Sequence, residues 1–317
     1  MSFRESEIDK DLGGFRPVDI ATCCYLLFEI AIILIFMRHL QGWIFSLFFY
    51  LIALGMVFMF TLFPMPGTPT WWKALRIIYP AILIVLFYEA LRSQVFLIHS
   101  APFDAKVYGF EKAILGRDIY FEMQRYMTIG LNEMMSFFYM SYYLLIPGAI
   151  FLLALKRQWG SLEMMILAAA GAFYFCYFIF ITFPVTGPRF FLEGEFYLPM
   201  VGPFFTPLAR HIVESGGLHG GAMPSSHCAI ALVAVVFMTG ELKTKAFPLW
   251  IVLLMLCFGT VYGRYHYASD VVVGLAIGAL SIILTTRWQN GFLRGKQAII
   301  RSSDLECEEP VETGAGN

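Results

Sequence analysis

Residues 42–72 read GWIFSLFFYLIALGMVFMFTLFPMPGTPTWW and contain no charged side chain. About 20 consecutive apolar residues suffice for a helix to cross the hydrocarbon of a bilayer. Only helices and closed barrels satisfy their own backbone there. The rest of the 317-residue chain is similar in character: 59% of it is apolar, 17% aromatic and 14% charged. Its mean hydropathy is +0.69. Soluble domains are roughly 45–50% apolar and about 25% charged. The composition therefore predicts an all-α, polytopic membrane helix bundle with about eight transmembrane helices. The apolar runs place them near 19–37, 43–63, 77–98, 133–155, 163–183, 225–241, 246–263 and 267–286. The sixth and eighth are short and start in polar sequence.

The same arithmetic excludes other classes. A formal net charge of -1 offers no basic footprint for nucleic acid. The six cysteines mostly sit in apolar runs, without the spacing of a disulfide framework or a zinc site. The first eighteen residues are polar and show no cleavable signal peptide. The acidic stretch from Ser302 to Asn317 reads as a solvated end.

Lys and Arg sort unevenly between the two sides. Thirteen, among them Arg16, Lys73, Arg76, Lys156, Arg157, Lys243 and Lys245, fall on the side of both termini. Eight fall on the other side, half of them in 99–132, and Arg92 lies within the third span. The positive-inside rule puts both termini in the cytoplasm, whether of a plasma or an endomembrane protein. It puts 99–132, 184–224 and 264–270 on the opposite face. Segment 99–132 is too polar to span. Phe103, Val107, Phe110, Ile114 and Leu115 recur at helical spacing among charges, the pattern of a helix in the interface. Such a helix serves either as a lid over the bundle or as a platform for lipid entry.

Three polar clusters fall on that face. They are Phe183-Pro-Val-Thr-Gly-Pro-Arg189, the Gly-rich run from Gly216 to His227, and Tyr262-Gly-Arg-Tyr-His-Tyr-Ala-Ser-Asp270. Polar groups are expensive in membranes and mark function. Arg189 and Arg264 are permanently charged forks suited to phosphate oxygens. Ser225 and Ser226, after Pro224, offer hydroxyls and free N–H groups at a helix N-terminus, a ready anion site. His266 and Asp270 are four apart, so on a helix they share a face. The carboxylate then fixes one imidazole tautomer and leaves the other nitrogen free as a nucleophile. His227 supplies a general acid. Together these are the parts of a phosphoryl transfer through a phosphohistidine.

Pro224-Ser-Ser-His227 resembles the Pro-Ser-Gly-His box of the type 2 phosphatidic acid phosphatase superfamily. Arg264-x-His266-x3-Asp270 followed by Val-Val-Val-Gly resembles its third box, and Gly187-Pro188-Arg189 a reduced first box. The resemblance covers the third to eighth spans, with the boxes in family order. It implies a six-helix catalytic core over 77–286, two additional helices in 19–76, and cytoplasmic segments 1–18 and 287–317. It implies His266 as nucleophile, Asp270 as its orienter and His227 as acid. Arg189, Arg264, Ser225 and Ser226 become phosphate ligands, and no metal or other cofactor is needed. Thr182 and Thr260 stand where the family usually has Lys and Arg, and Ser226 replaces the box Gly. The Arg-Tyr-His-Tyr-x-x-Asp form, the Asp104…Glu111…Leu115-Gly116 pattern and the eight spans look more like the inositol-phosphorylceramide synthase branch.

The expected activity is cleavage of a lipid phosphoester, with transfer of a phospho-headgroup to a lipid alcohol. The alternative is hydrolysis of a lipid phosphate monoester such as phosphatidic acid, phosphatidylglycerophosphate or polyprenyl phosphate. The expected partners are a lipid substrate and a second lipid as acceptor. A transporter would show internal repeats and midplane polar groups, neither of which is found. An inactive scaffold would not need His227, His266 and Asp270. A metal site from His219, His227, His266 and Asp270 is disfavoured by the two nearby arginines. His219 reads as a loop residue or as a contact behind the site. Glu89 and Arg92 are expected to pair inside the bundle, and Glu29 to face a neighbouring helix.

Overall fold

The computed structural model describes residues 14–62 and 70–307. The first thirteen residues and 308–317 lie outside the described residues, and with them parts of both expected cytoplasmic segments. Thirteen α-helices are described: α1 Pro17–Ile35, α2 Trp43–Leu62, α3 Thr70–Ala90, α4 Asp104–Leu115, α5 Ile119–Gln124, α6 Ile129–Met140, α7 Tyr142–Leu155, α8 Trp159–Thr182, α9 Pro188–Phe191, α10 Phe205–Gly216, α11 Ser226–Leu242, α12 Phe247–Tyr262 and α13 Ala268–Cys307. No strand occurs among the described residues; the one bridge joins Val185 and Gly221.

Among the described residues seven helical stretches are long and apolar enough to cross a membrane. The expected eight are reconciled by the stretch Ser226–Tyr262, counted there as one. It folds back at Lys243, whose φ is 53°. Cys228 Sγ in α11 lies 3.9 Å from Thr260 Oγ1 in α12. A straight helix would separate residues that far apart in sequence by roughly 48 Å at about 1.5 Å per residue. α11 and α12 are therefore two antiparallel arms.

Several boundaries differ from expectation. α3 begins at Thr70, ahead of the expected start at 77. The fourth span starts at Ile129 and is interrupted at Ser141. α13 runs to Cys307, past 286 and into the stretch read as a solvated end. Residues 287–307 have no proline, and their Leu, Arg, Lys, Gln and Ala favour helix continuation. α10 was not foreseen.

α8 is the hub, packing against α1, α3, α7, α11 and α13. α2 lies at the periphery, with Phe45 83% exposed. A close approach of α11 to α13 is made at Gly274 and Gly278. A Cβ on Gly278 would stand 2.5 Å from the Ala229 carbonyl, and one on Gly274 would collide with the Ser225 carbonyl. Small residues four apart allow such close helix contact. This approach brings the start of α13 beside the start of α11.

At the opposite end Asp19 joins α1 to α3. It accepts from Arg76 at 2.8 and 3.0 Å and from Tyr79 at 2.6 Å. Glu29 is buried in α1 as expected. Glu89 and Arg92 do pair, at 2.7 Å, but on the exposed end of the third span rather than inside the bundle. Arg92 also donates to the carbonyls of Ser215 and Gly217, and α3 ends there, which draws the pair outward.

Candidate active site

The three polar clusters meet. Val185 N–H donates to Gly220, and Ala222 N–H to Val185. Arg189 N–H donates to the Arg264 carbonyl at 2.9 Å, and Ser225 N–H to Asp270 at 2.9 Å. Loop 184–189, the run 220–227 and the turn 263–270 are thus tied by their backbones.

The turn is built by Thr260, whose carbonyl accepts from Tyr265 and His266 N–H. Arg264 holds a φ of 61° there. A left-handed non-glycine costs of order 1–3 kcal/mol and clusters at functional sites. α13 then starts with Tyr267 as its N-cap. Asp270 Oδ2 reaches back to Tyr267 N–H at 2.8 Å, as in a capping box. Asp270 is fully buried, and its Oδ1 has no hydrogen-bond partner among the described residues.

His266 Nδ1 lies 2.8 Å from the Ala222 carbonyl and 3.6 Å from Asp270 Oδ2. A carbonyl only accepts, so Nδ1 carries the proton and Nε2 keeps its lone pair. Nε2 faces His227 Nδ1 at 3.4 Å. Burial opposes the charged imidazolium, but Asp270 outweighs it and the His266 pKa is raised above 6.5. The other ring nitrogen of His227 lies 3.5 Å from the Tyr139 hydroxyl. Tyr142 packs against the ring at 4.4 Å, and Tyr139 stacks on Tyr265 at 4.4 Å.

The expected phosphate ligands are dispersed. The Arg189 guanidinium makes no hydrogen bond or ion pair among the described residues; it rests 4.8 Å from the Phe190 ring and 6.0 Å from Tyr265. Arg264 is committed elsewhere. It donates to the Leu198 carbonyl at 2.8 Å and stacks 3.8 Å over Phe196. Burial lowers its pKa to about 10, so it stays charged at neutral pH. Ser225 caps α11 through Cys228 N–H at 3.4 Å and is fully buried, as nearly is Ser226. Thr182 and Thr260 bond their own helix carbonyls. His219 is a loop residue, edge-on to Phe190 at 4.8 Å.

The segment 99–132 forms α4 and α5 and packs onto this turn, and Asn132 of α6 reaches Tyr262 just ahead of it. Asn132 accepts from Tyr262 at 2.6 Å and donates to Val201 at 2.9 Å. Glu133 accepts from the N–H groups of Phe204, Phe205 and Thr206 and so seats α10. Tyr139, Tyr142, Asn132, Glu133 and the Ala222 carbonyl were missed from the sequence. Among the described residues no group of three or more His, Cys, Asp or Glu is gathered to hold a metal ion.

The fold and site are those of a polytopic helical bundle in which two histidines approach through their ring nitrogens where three segments are joined. The family model described as PAP2 superfamily matches residues 117–284, and the chain belongs to that superfamily. Membership supports a lipid phosphatase-type function and an integral-membrane location. Comparison with curated proteins and with solved structures finds no match.

Proposed function

We propose that the chain is a metal-independent enzyme that cleaves a lipid phosphoester through a phosphohistidine on His266 and passes the phospho-headgroup to a lipid alcohol, as in the inositol-phosphorylceramide synthase-like branch. The observation that carries this reading is the His266 Nε2 lone pair facing His227 Nδ1. Nε2 attacks phosphorus, forming an N–P bond as the P–O bond to the leaving alcohol breaks. His227, protonated on both ring nitrogens beside the anionic phosphoester, gives its Nδ1 proton to that oxygen and is left neutral. In the second half an acceptor hydroxyl attacks phosphorus, His227 takes its proton, and the N–P bond breaks. A phosphoryl group does not fit between nitrogens 3.4 Å apart, so the rings part when substrate enters. Ser225 and Ser226 stand at the N-terminus of α11 immediately before His227, and the backbone of Arg189 is tied to that of Arg264, two residues before His266.

The transfer reading is supported by charge and by wetness. Arg264 is engaged with Leu198, and threonines stand at 182 and 260. That leaves little positive charge for a monoester dianion, whereas a diester carries one negative charge. Tyr139 and Tyr142 pack against His227, Tyr265 stacks on Tyr139, and exclusion of water protects a reactive intermediate from hydrolysis. The site is read as facing away from the cytoplasm, with both termini cytoplasmic. The test is a panel of phospholipids and lipid phosphates, each with and without diacylglycerol or ceramide. A new phospholipid formed only with acceptor supports transfer. Free phosphate from monoesters, with no transfer product, makes the enzyme a hydrolase.

A further inference from the structure

Asp104 and Glu111 lie seven residues apart on α4, on one face, and both are buried while Phe110, Ile114 and Leu115 of the same helix are exposed. Nothing in the chemistry above uses them. Asp104 Oδ2 accepts Thr186 N–H at 2.8 Å, and Oδ1 accepts Gly187 N–H at 2.8 Å and the Tyr267 hydroxyl at 3.1 Å. It thereby binds the loop that carries Arg189 to the residue that follows His266. Glu111 accepts from the Tyr120 hydroxyl and from Ser269 N–H. Tyr120 in turn accepts Ala268 N–H at 3.0 Å. The two first free N–H groups of α13, on either side of which stand His266 and Asp270, are thus held by α4 and α5. Carboxylates accepting several N–H or O–H groups make stronger bonds than neutral acceptors, and two such points fix a segment in both position and angle.

We propose that Asp104 and Glu111 are positioning residues that lock the Arg189 loop and the His266–Asp270 turn in register, making the interfacial helix a working part of the active site rather than a cover over it. The inference rests on His266 being the nucleophile. Asp104 accepts an N–H on each oxygen, so an amide there sets an NH2 group against an N–H; Glu111 accepts the Ser269 N–H on one oxygen and the Tyr120 hydroxyl on the other, so an amide there leaves that hydroxyl without its acceptor. The surrounding apolar packing is unchanged by that substitution. What moves is the alignment of Nε2 with phosphorus, which acts on kcat rather than on binding.

The test compares purified full-length wild type with Asp104→Asn and Glu111→Gln, measuring kcat, KM and melting temperature on whichever lipid the panel identifies. The expected result is a fall in kcat of at least about tenfold for each, with KM held within about threefold. Tyr120→Phe and Tyr267→Phe remove one hydroxyl each and guard against variants that do not fold; each is expected to lower kcat by at least about threefold. Unchanged kcat in the folded variants, or a change confined to KM, overturns the proposal. His266→Ala run in parallel separates the two failures. If it retains turnover, the nucleophile assignment falls. If it is inactive while the α4 variants match wild type, the positioning role alone falls.

Discussion

The imidazole Nδ1 of His266 is 2.8 Å from the carbonyl oxygen of Ala222, closer than the carboxylate of Asp270 at 3.6 Å. A backbone atom therefore sets the tautomer, and Asp270 contributes charge. The two jobs, expected of one aspartate, are divided between a residue of the loop before α11 and one in the first turn of α13.

Asp270→Asn consequently keeps the reactive tautomer and loses the charge. Turnover is expected to fall by about 10²-fold, at the mild end for a group of this kind. The raised His266 pKa gives a further expectation. With neutral His266 as the proposed nucleophile, the acid limb of kcat/KM is expected above the ordinary value of about 6.5 in wild type and shifts downward in Asp270→Asn. A kcat/KM profile over pH 5–9, at roughly the window where imidazoles titrate, reads the shift; an unmoved acid limb contradicts it.

Tyr139 reaches His227 from α6 and occupies the ring nitrogen that does not face His266. Removing its hydroxyl frees His227 to take the wrong tautomer. Tyr139→Phe is expected to reduce kcat by about tenfold with little change in melting temperature. A drop in stability without a kcat effect would make Tyr139 a packing residue.

Gly278 lets α13 lie against α11, with the Ala229 carbonyl 2.5 Å from where a Cβ would sit. Gly278→Val should force the helices apart, costing about 1–3 kcal/mol, and should reduce turnover by separating His227 from His266. Gly55→Ala, with nothing within 4 Å of its Cβ, is the control. Thermal melts and turnover on both variants check this, and equal behaviour of the two contradicts it.

Ser215 is exposed near the end of α10, on the loop side of the site. Ser215→Cys in sealed cells or vesicles of known orientation should react with a membrane-impermeant thiol reagent from the non-cytoplasmic side. Labelling only after permeabilisation would invert the topology.

How far the residues alone carried this account depends on the kind of atom involved. His227, His266 and Asp270 were legible because each is a rare polar side chain at the end of an apolar run. The spans were legible for the converse reason. The Ala222 carbonyl was not, since every residue has one. Tyr139 was hidden among neighbouring tyrosines, far from His227 in sequence. Arg264 was read by its charge as a phosphate ligand, but its left-handed backbone turns it toward Leu198 and Phe196. Helix α10 escaped because Pro207 and the glycines around it read as loop. Gly274-x3-Gly278 stood in the sequence as a packing signal that only the α11–α13 contact makes meaningful.

The central claim is a covalent bond between phosphorus and His266 Nε2. Purified enzyme is mixed with a phospholipid labelled in its headgroup phosphate, quenched in alkali, where phosphoramidates survive, and digested for peptide mass spectrometry. The account predicts label on the peptide containing His266, absent from His266→Ala and discharged on adding a lipid alcohol. Steady turnover by His266→Ala, or label carried by another residue, would contradict it.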